Sequence, residues 1–154
     1  LTVVAPGING KMNELSAAFG MLQLEHIDSA LVKRKLISET YIKLLSKVKG
    51  IDCVFDYPEC NTNHSYFPVL VQPEYSLSRD ELYDYLKQFG IFSRKYFFPL
   101  ITHFPMYRGL ESASKCKLPN AELASGRVLC LPIYPDLSIE SVKDICKKIE
   151  QKSE

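Results

Sequence analysis

Apolar residues spaced three and four positions apart run through the first third of the chain and predict helical structure from Met12 to about Lys49. Asn13 is suited to cap the start of this segment, and Gly50 to end it. Because one helix of this length is unusual in a small domain, we expect a bend or break near residues 26–28. The apolar stripe consists of Leu15, Ala18, Phe19, Leu22, Ile27, Leu31, Ile37, Tyr41, Leu44, Leu45 and Val48.

Two strands are predicted after this segment. Residues 51–54 favour a short strand, and residues 64–72 favour a longer one that is apolar on both faces. Pro68 has no amide hydrogen to donate to a neighbouring strand. We therefore expect the second strand to lie at an edge of the sheet or to contain a bulge.

The second half of the chain alternates between predicted helices and strands. Ser78 and Glu81 form a capping-box pattern that predicts a helix ending at Gly90. The rest of the pattern predicts a strand at 91–97, a short helix at 119–127, a strand at 128–131 and a final helix that Ser138 caps. This order predicts an α+β fold in which helices cover a small sheet, antiparallel or mixed.

Composition places the chain among ordinary globular proteins and excludes several classes. It has 154 residues, of which 46% are hydrophobic and 24% charged, and no apolar run approaches the roughly 20 residues that span a bilayer. The net charge of +1 gives no indication of nucleic-acid binding. Five scattered cysteines fit neither a disulfide framework nor a zinc site, and they suit a reducing cytoplasm.

Residues 98–118 show no regular period, and ordered loops of this length are often functional. Arg94, Tyr96 and His103, in and just before this loop, are the candidate site residues. Each also has a purely structural interpretation: Arg94 as a surface cation, Tyr96 as a packed strand residue and His103 as a loop residue bonded to the backbone. The sequence contains no glycine-rich phosphate loop and no metalloprotease or serine-hydrolase motif.

Residues 7–28, GINGKMNELSAAFGMLQLEHID, resemble the segment that follows the cofactor lysine in the DegT/DnrJ/EryC1/StrS aminotransferases. The matching positions are Asn9, Lys11, Met12, Glu14, Ala17, Ala18, Gly20 and Leu24. Segments 64–71, 90–100, 104–109 and 121–142 continue the resemblance in the family's order. Five ordered segments make it far more specific than any one motif.

The resemblance implies a pyridoxal-phosphate enzyme that transfers an amino group, from glutamate as donor, to a nucleotide-linked keto sugar in polysaccharide or related sugar biosynthesis. It implies the C-terminal small domain of a fold-type I aminotransferase at residues 51–154. Residues 1–50 are then a linker and a long helical segment leading from a large domain. The Schiff-base lysine would lie upstream of Leu1, so we expect the chain alone to be inactive and not to hold pyridoxal 5'-phosphate.

The resemblance also assigns roles to individual residues. Asn9 and Lys11 would contact the cofactor phosphate of the partner subunit in a homodimer, while Arg94, Tyr96 and His103 would face the nucleotide sugar or the amino donor. No catalytic or metal-binding residue is expected in the chain, and neither nucleic acid nor a membrane is expected as a partner. The alternative is a non-catalytic ligand-binding or dimerisation module of the same α+β fold.

Overall fold

The fold is described by a computed structural model that covers residues 7, 8, 10–54 and 60–153. Within these residues, five α-helices and three strands follow one another in the predicted α+β order, except that the strand predicted between the third and fourth helices is absent. The helices are α1 (Glu14–Leu24), α2 (Ile27–Leu45), α3 (Arg79–Gln88), α4 (Pro119–Arg127) and α5 (Ile139–Glu150). The strands are β1 (Ile51–Cys53), β2 (Phe67–Val71) and β3 (Val128–Leu131).

The N-terminal helical segment consists of two helices instead of one long helix. Asn13 caps α1 as predicted, because its side chain accepts a hydrogen bond from the Ser16 amide at 2.8 Å. The helical structure is interrupted at residues 25 and 26, close to the expected position, and α2 then runs to Leu45. Gly50 lies beyond the end of α2 in the left-handed region, with φ of +80°.

The three strands form an antiparallel sheet in the order β1-β2-β3 with an unbroken register, so the expectation of an edge strand or a bulge at Pro68 was wrong. Pro68 lies in the central strand opposite Cys130. Its carbonyl accepts from the Val54 amide at 3.2 Å, just past the last residue of β1. Because the N and O of one strand residue point to the same side, the missing donor of Pro68 faces the place where β1 ends.

Residues 91–97 do not form the predicted strand. Arg94 alone pairs with β3, through an isolated bridge to Cys130. The Arg94 amide donates to the Cys130 carbonyl at 2.9 Å, and the Cys130 amide donates back at 2.8 Å. The segment therefore touches the β3 edge of the sheet at one point and is otherwise irregular.

The core lies between the sheet and helices α2, α3 and α5. Strand β2 alternates buried Phe67, Val69 and Val71 with half-buried positions, which is the pattern of a sheet covered on one face. The ring of Tyr41, on α2, stacks on Phe67 with centroids 4.7 Å apart. Helix α2 thus belongs to the same core, and the division of the chain at residue 50 stays a prediction.

The capping predictions for α3 and α5 are confirmed. Ser78 and Glu81 satisfy each other's free backbone amides in a complete capping box, and Ser138 caps α5 by accepting from the Ser141 amide. The loop at 98–118 contains three short 3-10 turns. Among the described helices, none has the length and apolar character required to cross a bilayer.

Candidate functional site

The start of β2 lies beside the end of β3, because Phe67 pairs with Leu131. The residues just before β2 and just after β3 therefore meet at one end of the sheet, where the Arg94 bridge brings in a third segment. A cavity of about 460 Å³ opens at this junction. Its walls are formed by Ser65, Tyr66, Phe92, Arg94, Tyr96, Cys130, Leu131, Pro132, Ile133 and Tyr134.

Arg94 and Tyr96, two of the candidate site residues, both line this cavity, and their role in substrate binding stays a prediction. The Arg94 guanidinium donates a hydrogen bond to the Tyr96 hydroxyl and lies 5.4 Å from the centre of the Tyr96 ring. The hydrogen bond with Tyr96 raises the pKa of Arg94, so the group stays cationic. Tyr66 packs edge-on against Tyr96 with ring centres 5.6 Å apart, which fixes the plane of the phenol.

His103 is not among the described residues that line this cavity. It lies in the first 3-10 turn of the long loop, where its Nε2 is 2.7 Å from Glu122 Oε1 of α4. Both side chains are partly buried. The contact ties the loop to α4, and the role of His103 in substrate binding stays a prediction.

Of the two candidate cofactor residues, Asn9 lies outside the described residues. Lys11 is exposed and precedes the capped start of α1 by three positions. An exposed cation near the positive end of a helix dipole suits an anionic group such as a phosphate. The described part of the proposed cofactor contact is therefore compatible with a phosphate ligand.

Sequence analysis missed the aromatic walls of the cavity. Tyr66, Phe92 and Tyr134 lie in segments that the sequence places at strand ends, and their meeting depends on strand order. The available signal was an aromatic residue directly before one strand, in HSYF, and another three residues after the end of a second strand, in LPIY. Such residues lie at the same end of the sheet when the two strands pair antiparallel.

This arrangement suits binding more than acid–base chemistry. One guanidinium matches the geometry of a phosphate or carboxylate, and several aromatic rings offer flat surfaces to a planar ligand. Among the described residues, no group of three or more His, Cys, Asp or Glu side chains is placed to bind a metal ion. The cavity therefore has the character of a recognition site for an anionic, partly aromatic molecule.

Comparison with known proteins identifies the family. The sequence model of the DegT/DnrJ/EryC1/StrS aminotransferase family matches residues 2–150. The chain is 52% identical over 147 residues to a dTDP-4-amino-4,6-dideoxy-D-glucose transaminase of Escherichia coli, covering 96% of this chain and 40% of that protein. It is 42% identical to a protein of the same description from Shigella dysenteriae, covering 94% and 39%.

A solved structure agrees with these sequence matches. DesV of S. venezuelae superposes with a TM-score of 0.86 at 26% sequence identity, over 98% of this chain and 39% of that one. The chain thus spans about 40% of the length of the curated relatives it matches. With a family model matched across nearly every residue and the same fold in a solved member, the chain belongs to the DegT/DnrJ/EryC1/StrS aminotransferase family.

Proposed function

We propose that the complete protein is a pyridoxal-phosphate-dependent aminotransferase that aminates a nucleotide-linked keto sugar, with glutamate as the amino donor. The observation that supports this most directly is the cavity holding Arg94 and Tyr96 in a chain of this family. The two relatives named above are both described as transaminases of a dTDP-linked sugar. We therefore propose a dTDP-linked 4-keto-6-deoxy sugar as the first substrate to test, and cell-surface polysaccharide biosynthesis as its setting.

In this proposal Arg94 and Tyr96 hold the nucleotide end of the substrate. The guanidinium would donate hydrogen bonds to phosphate oxygens, and a charged donor makes these stronger than neutral ones. The Tyr66, Tyr96 and Tyr134 rings would cover the base or the sugar and exclude water from it. His103, in the loop at 98–118, is proposed to face the sugar or the donor while Glu122 holds its ring.

Asn9 and Lys11 would hold the phosphate of pyridoxal 5'-phosphate across a homodimer interface. When bound, the cofactor supplies the electron sink through which an amino group moves between amino acid and keto sugar. The side chain of Asn9 would donate to a phosphate oxygen, and Lys11 would add positive potential beside it. We propose that residues 1–154 alone neither hold the cofactor covalently nor catalyse the transfer.

The homodimer is proposed from the surface of α1. No residue of this helix is buried, although it contains Leu15, Phe19 and Leu22 on one side. Exposed apolar surface of this extent marks an interaction site more often than a solvated face. The complete enzyme is further proposed to act in the cytoplasm, where the five free cysteines stay reduced.

The test is an amino-transfer assay with the complete enzyme, cofactor and glutamate labelled with ¹⁵N. A dTDP-linked 4-keto-6-deoxyglucose should yield an amino sugar that has gained the label, seen by mass spectrometry. The same keto sugar linked to GDP serves as a specificity control, and the free keto sugar shows whether the nucleotide is required. Absence of label in every nucleotide-sugar product, with the cofactor shown to be bound, would contradict the proposal.

A further inference from the structure

Among the described residues, the segment that carries Arg94 and Tyr96 pairs with the sheet at a single backbone bridge, between Arg94 and Cys130. One bridge fixes the position of Arg94 along β3 but leaves the residues after it without a ladder partner. The orientation of Tyr96 must then depend on side-chain contacts: its own with Tyr66, and those made by its neighbours in the segment.

Besides the packing of Tyr96 and Phe97 against Tyr66, two residues of the segment contact the first turns of α3. The Lys95 ammonium lies 2.5 Å from the Asp80 carboxylate and 4.5 Å from the centre of the Tyr83 ring. Two residues past Tyr96, the ring of Phe98 lies under the Arg79 guanidinium at 4.6 Å. The residues on either side of Tyr96 are therefore held against one helix.

That helix end is itself rigidly built. Arg79 is only 5% exposed, and its Nη1 donates to the Ser125 carbonyl at 3.1 Å. Its Nε lies 2.7 Å from the same Asp80 oxygen that contacts Lys95. The hydrogen bond with Lys95, followed by the charge of Arg79, lowers the pKa of Asp80, so its carboxylate is charged at neutral pH.

We propose that Asp80 is a positioning residue for the nucleotide-sugar site, holding Lys95 against α3 so that Arg94 and Tyr96 keep their orientation in the cavity. This inference rests on the proposed function of that cavity. The Asp80 side chain is 60% exposed and that of Lys95 28%, so water and salt screen this pair and it contributes little to the free energy of unfolding. Its effect should therefore appear in substrate binding far more than in stability. Lys95→Met leaves the Asp80 carboxylate beside the buried Arg79 guanidinium, whereas Asp80→Asn also removes that carboxylate.

The test uses the complete enzyme with three variants: Asp80→Asn, Lys95→Met and the two combined. Each single variant should raise KM for the nucleotide sugar by about threefold to tenfold with kcat changed by less than about twofold. The double variant should be no worse than the more affected single one, because both changes remove the same contact. Hydrogen exchange of peptides covering 93–98 should become faster in all three.

Matched variants separate positioning from general loss of charge or fold. Lys95→Arg keeps a cation that reaches Asp80 and should restore KM. Glu111→Gln breaks another exposed ion pair, with Lys117 at 2.5 Å, and should change neither KM nor exchange at 93–98. Thermal unfolding of each variant shows whether any effect reflects a fold that has been lost.

Arg94→Met, measured in parallel, separates the positioning role of Asp80 from the assignment of the cavity to the nucleotide sugar. If Arg94→Met raises KM while Asp80→Asn leaves both KM and exchange unchanged, the positioning role is overturned and the site stands. A raised KM in Asp80→Asn without faster exchange at 93–98 also overturns positioning. If Arg94→Met leaves KM unchanged, the cavity is not the nucleotide-sugar site, and the positioning role of Asp80 fails with it. The amino-transfer activity itself is tested separately by the assay with labelled glutamate.

Discussion

Arg94 and Cys130 exchange two backbone hydrogen bonds, of 2.9 and 2.8 Å, although no regular strand surrounds Arg94. Because the contact uses main-chain atoms, it holds the backbone at this point whatever the side chain is. Arg94 also lines the cavity, and its guanidinium donates a hydrogen bond to the Tyr96 hydroxyl. Substitutions of the Arg94 side chain should therefore change ligand binding and leave the fold intact.

The first prediction concerns Gly50, which faces the backbone of Tyr75. With φ of +80° the position disfavours any side chain, and an added Cβ would lie 2.5 Å from the Tyr75 nitrogen. Gly90 has a similar φ of +72°, but an added Cβ there meets nothing within 4 Å. Gly90→Ala should lower the free energy of unfolding by about 1–2 kcal/mol, from conformation alone.

Gly50→Ala should cost about 1 kcal/mol or more beyond Gly90→Ala, because the Tyr75 backbone must also move. Urea unfolding followed by circular dichroism measures both variants, since the chain has no tryptophan to report by fluorescence. Equal losses in the two variants would show that the close approach of Gly50 to Tyr75 has no energetic weight.

The second prediction concerns stability at alkaline pH. Burial, with smaller effects of Cys53 and Glu150, raises the pKa of the Cys146 thiol from 9.0 to about 12. Between these values the unfolded chain loses this proton while the folded chain keeps it, so the free energy of unfolding falls as pH rises. One such group contributes a slope of up to about 1.4 kcal/mol per pH unit.

Cys146→Ala should make this decline shallower between about pH 9 and pH 11, whatever it does to stability at neutral pH. Cys60→Ala, at an exposed position, is the matched control and should leave the slope unchanged. Urea unfolding at several pH values gives the slopes. A Cys146→Ala slope equal to that of the unaltered protein would contradict the raised pKa of this buried thiol.

Features fixed by neighbouring residues were predictable from sequence, whereas features fixed by strand order were not. The Ser78–Glu81 capping box acts within one turn of chain, so its pattern was sufficient to place α3. The position of Pro68 in the central strand depends on which strands flank it and on where β1 ends. Residues 91–97 have strand-like composition, yet only Arg94 finds a partner on β3.

The candidate site shows the same division. Arg94 and Tyr96 were candidates because charge and aromatic character coincide in one short segment, and the structure brings them together. The pairing of His103 with Glu122 was not foreseen, because it depends on how the loop packs on α4. Tyr66 and Tyr134 line the same cavity because β2 pairs antiparallel with β3, and the sequence does not show which strands pair.

The third prediction concerns the apolar side of α1. Leu15, Phe19 and Leu22 are 84%, 64% and 56% exposed, so we expect the complete enzyme to be a symmetric dimer that covers them. Phe19→Glu should weaken dimerisation by about tenfold or more, since burying one such side chain contributes roughly 1.5–3 kcal/mol. Leu123→Glu, on α4 and 54% exposed, is the control.

Sedimentation velocity over a range of concentrations measures this effect. A complete protein that stays monomeric at high concentration would refute the dimer. If Leu123→Glu weakens association as much as Phe19→Glu, the interface is not specific to α1.

The fourth prediction concerns cofactor binding by Asn9. Loss of a hydrogen bond to a charged group costs roughly 1.5–3 kcal/mol, which corresponds to about 10- to 150-fold in affinity. Asn9→Ala should weaken pyridoxal-phosphate binding by this order in the complete enzyme. Lys11→Ala should have a smaller effect, because the Lys11 ammonium is exposed and screened by salt.

Cofactor absorbance during titration gives both affinities. Heterodimers can pair an Asn9→Ala subunit with a subunit that lacks the cofactor lysine. If Asn9 acts across the interface, both defects fall in the same active site and the other site is intact. If Asn9 acts within its own subunit, each active site carries one defect. An Asn9→Ala affinity equal to that of the unaltered enzyme would contradict a role of Asn9 in cofactor binding.

The most direct measurement of the central claim is calorimetric titration of the complete enzyme, and of its Arg94→Met variant, with a dTDP-linked sugar. Loss of the guanidinium should weaken binding by about 10- to 150-fold, because its hydrogen bonds to phosphate are charged. Arg108→Met, which removes an exposed arginine that does not line the cavity, should bind as the unaltered enzyme does. Equal affinities for Arg94→Met and the unaltered enzyme would contradict the assignment of the cavity to the nucleotide sugar.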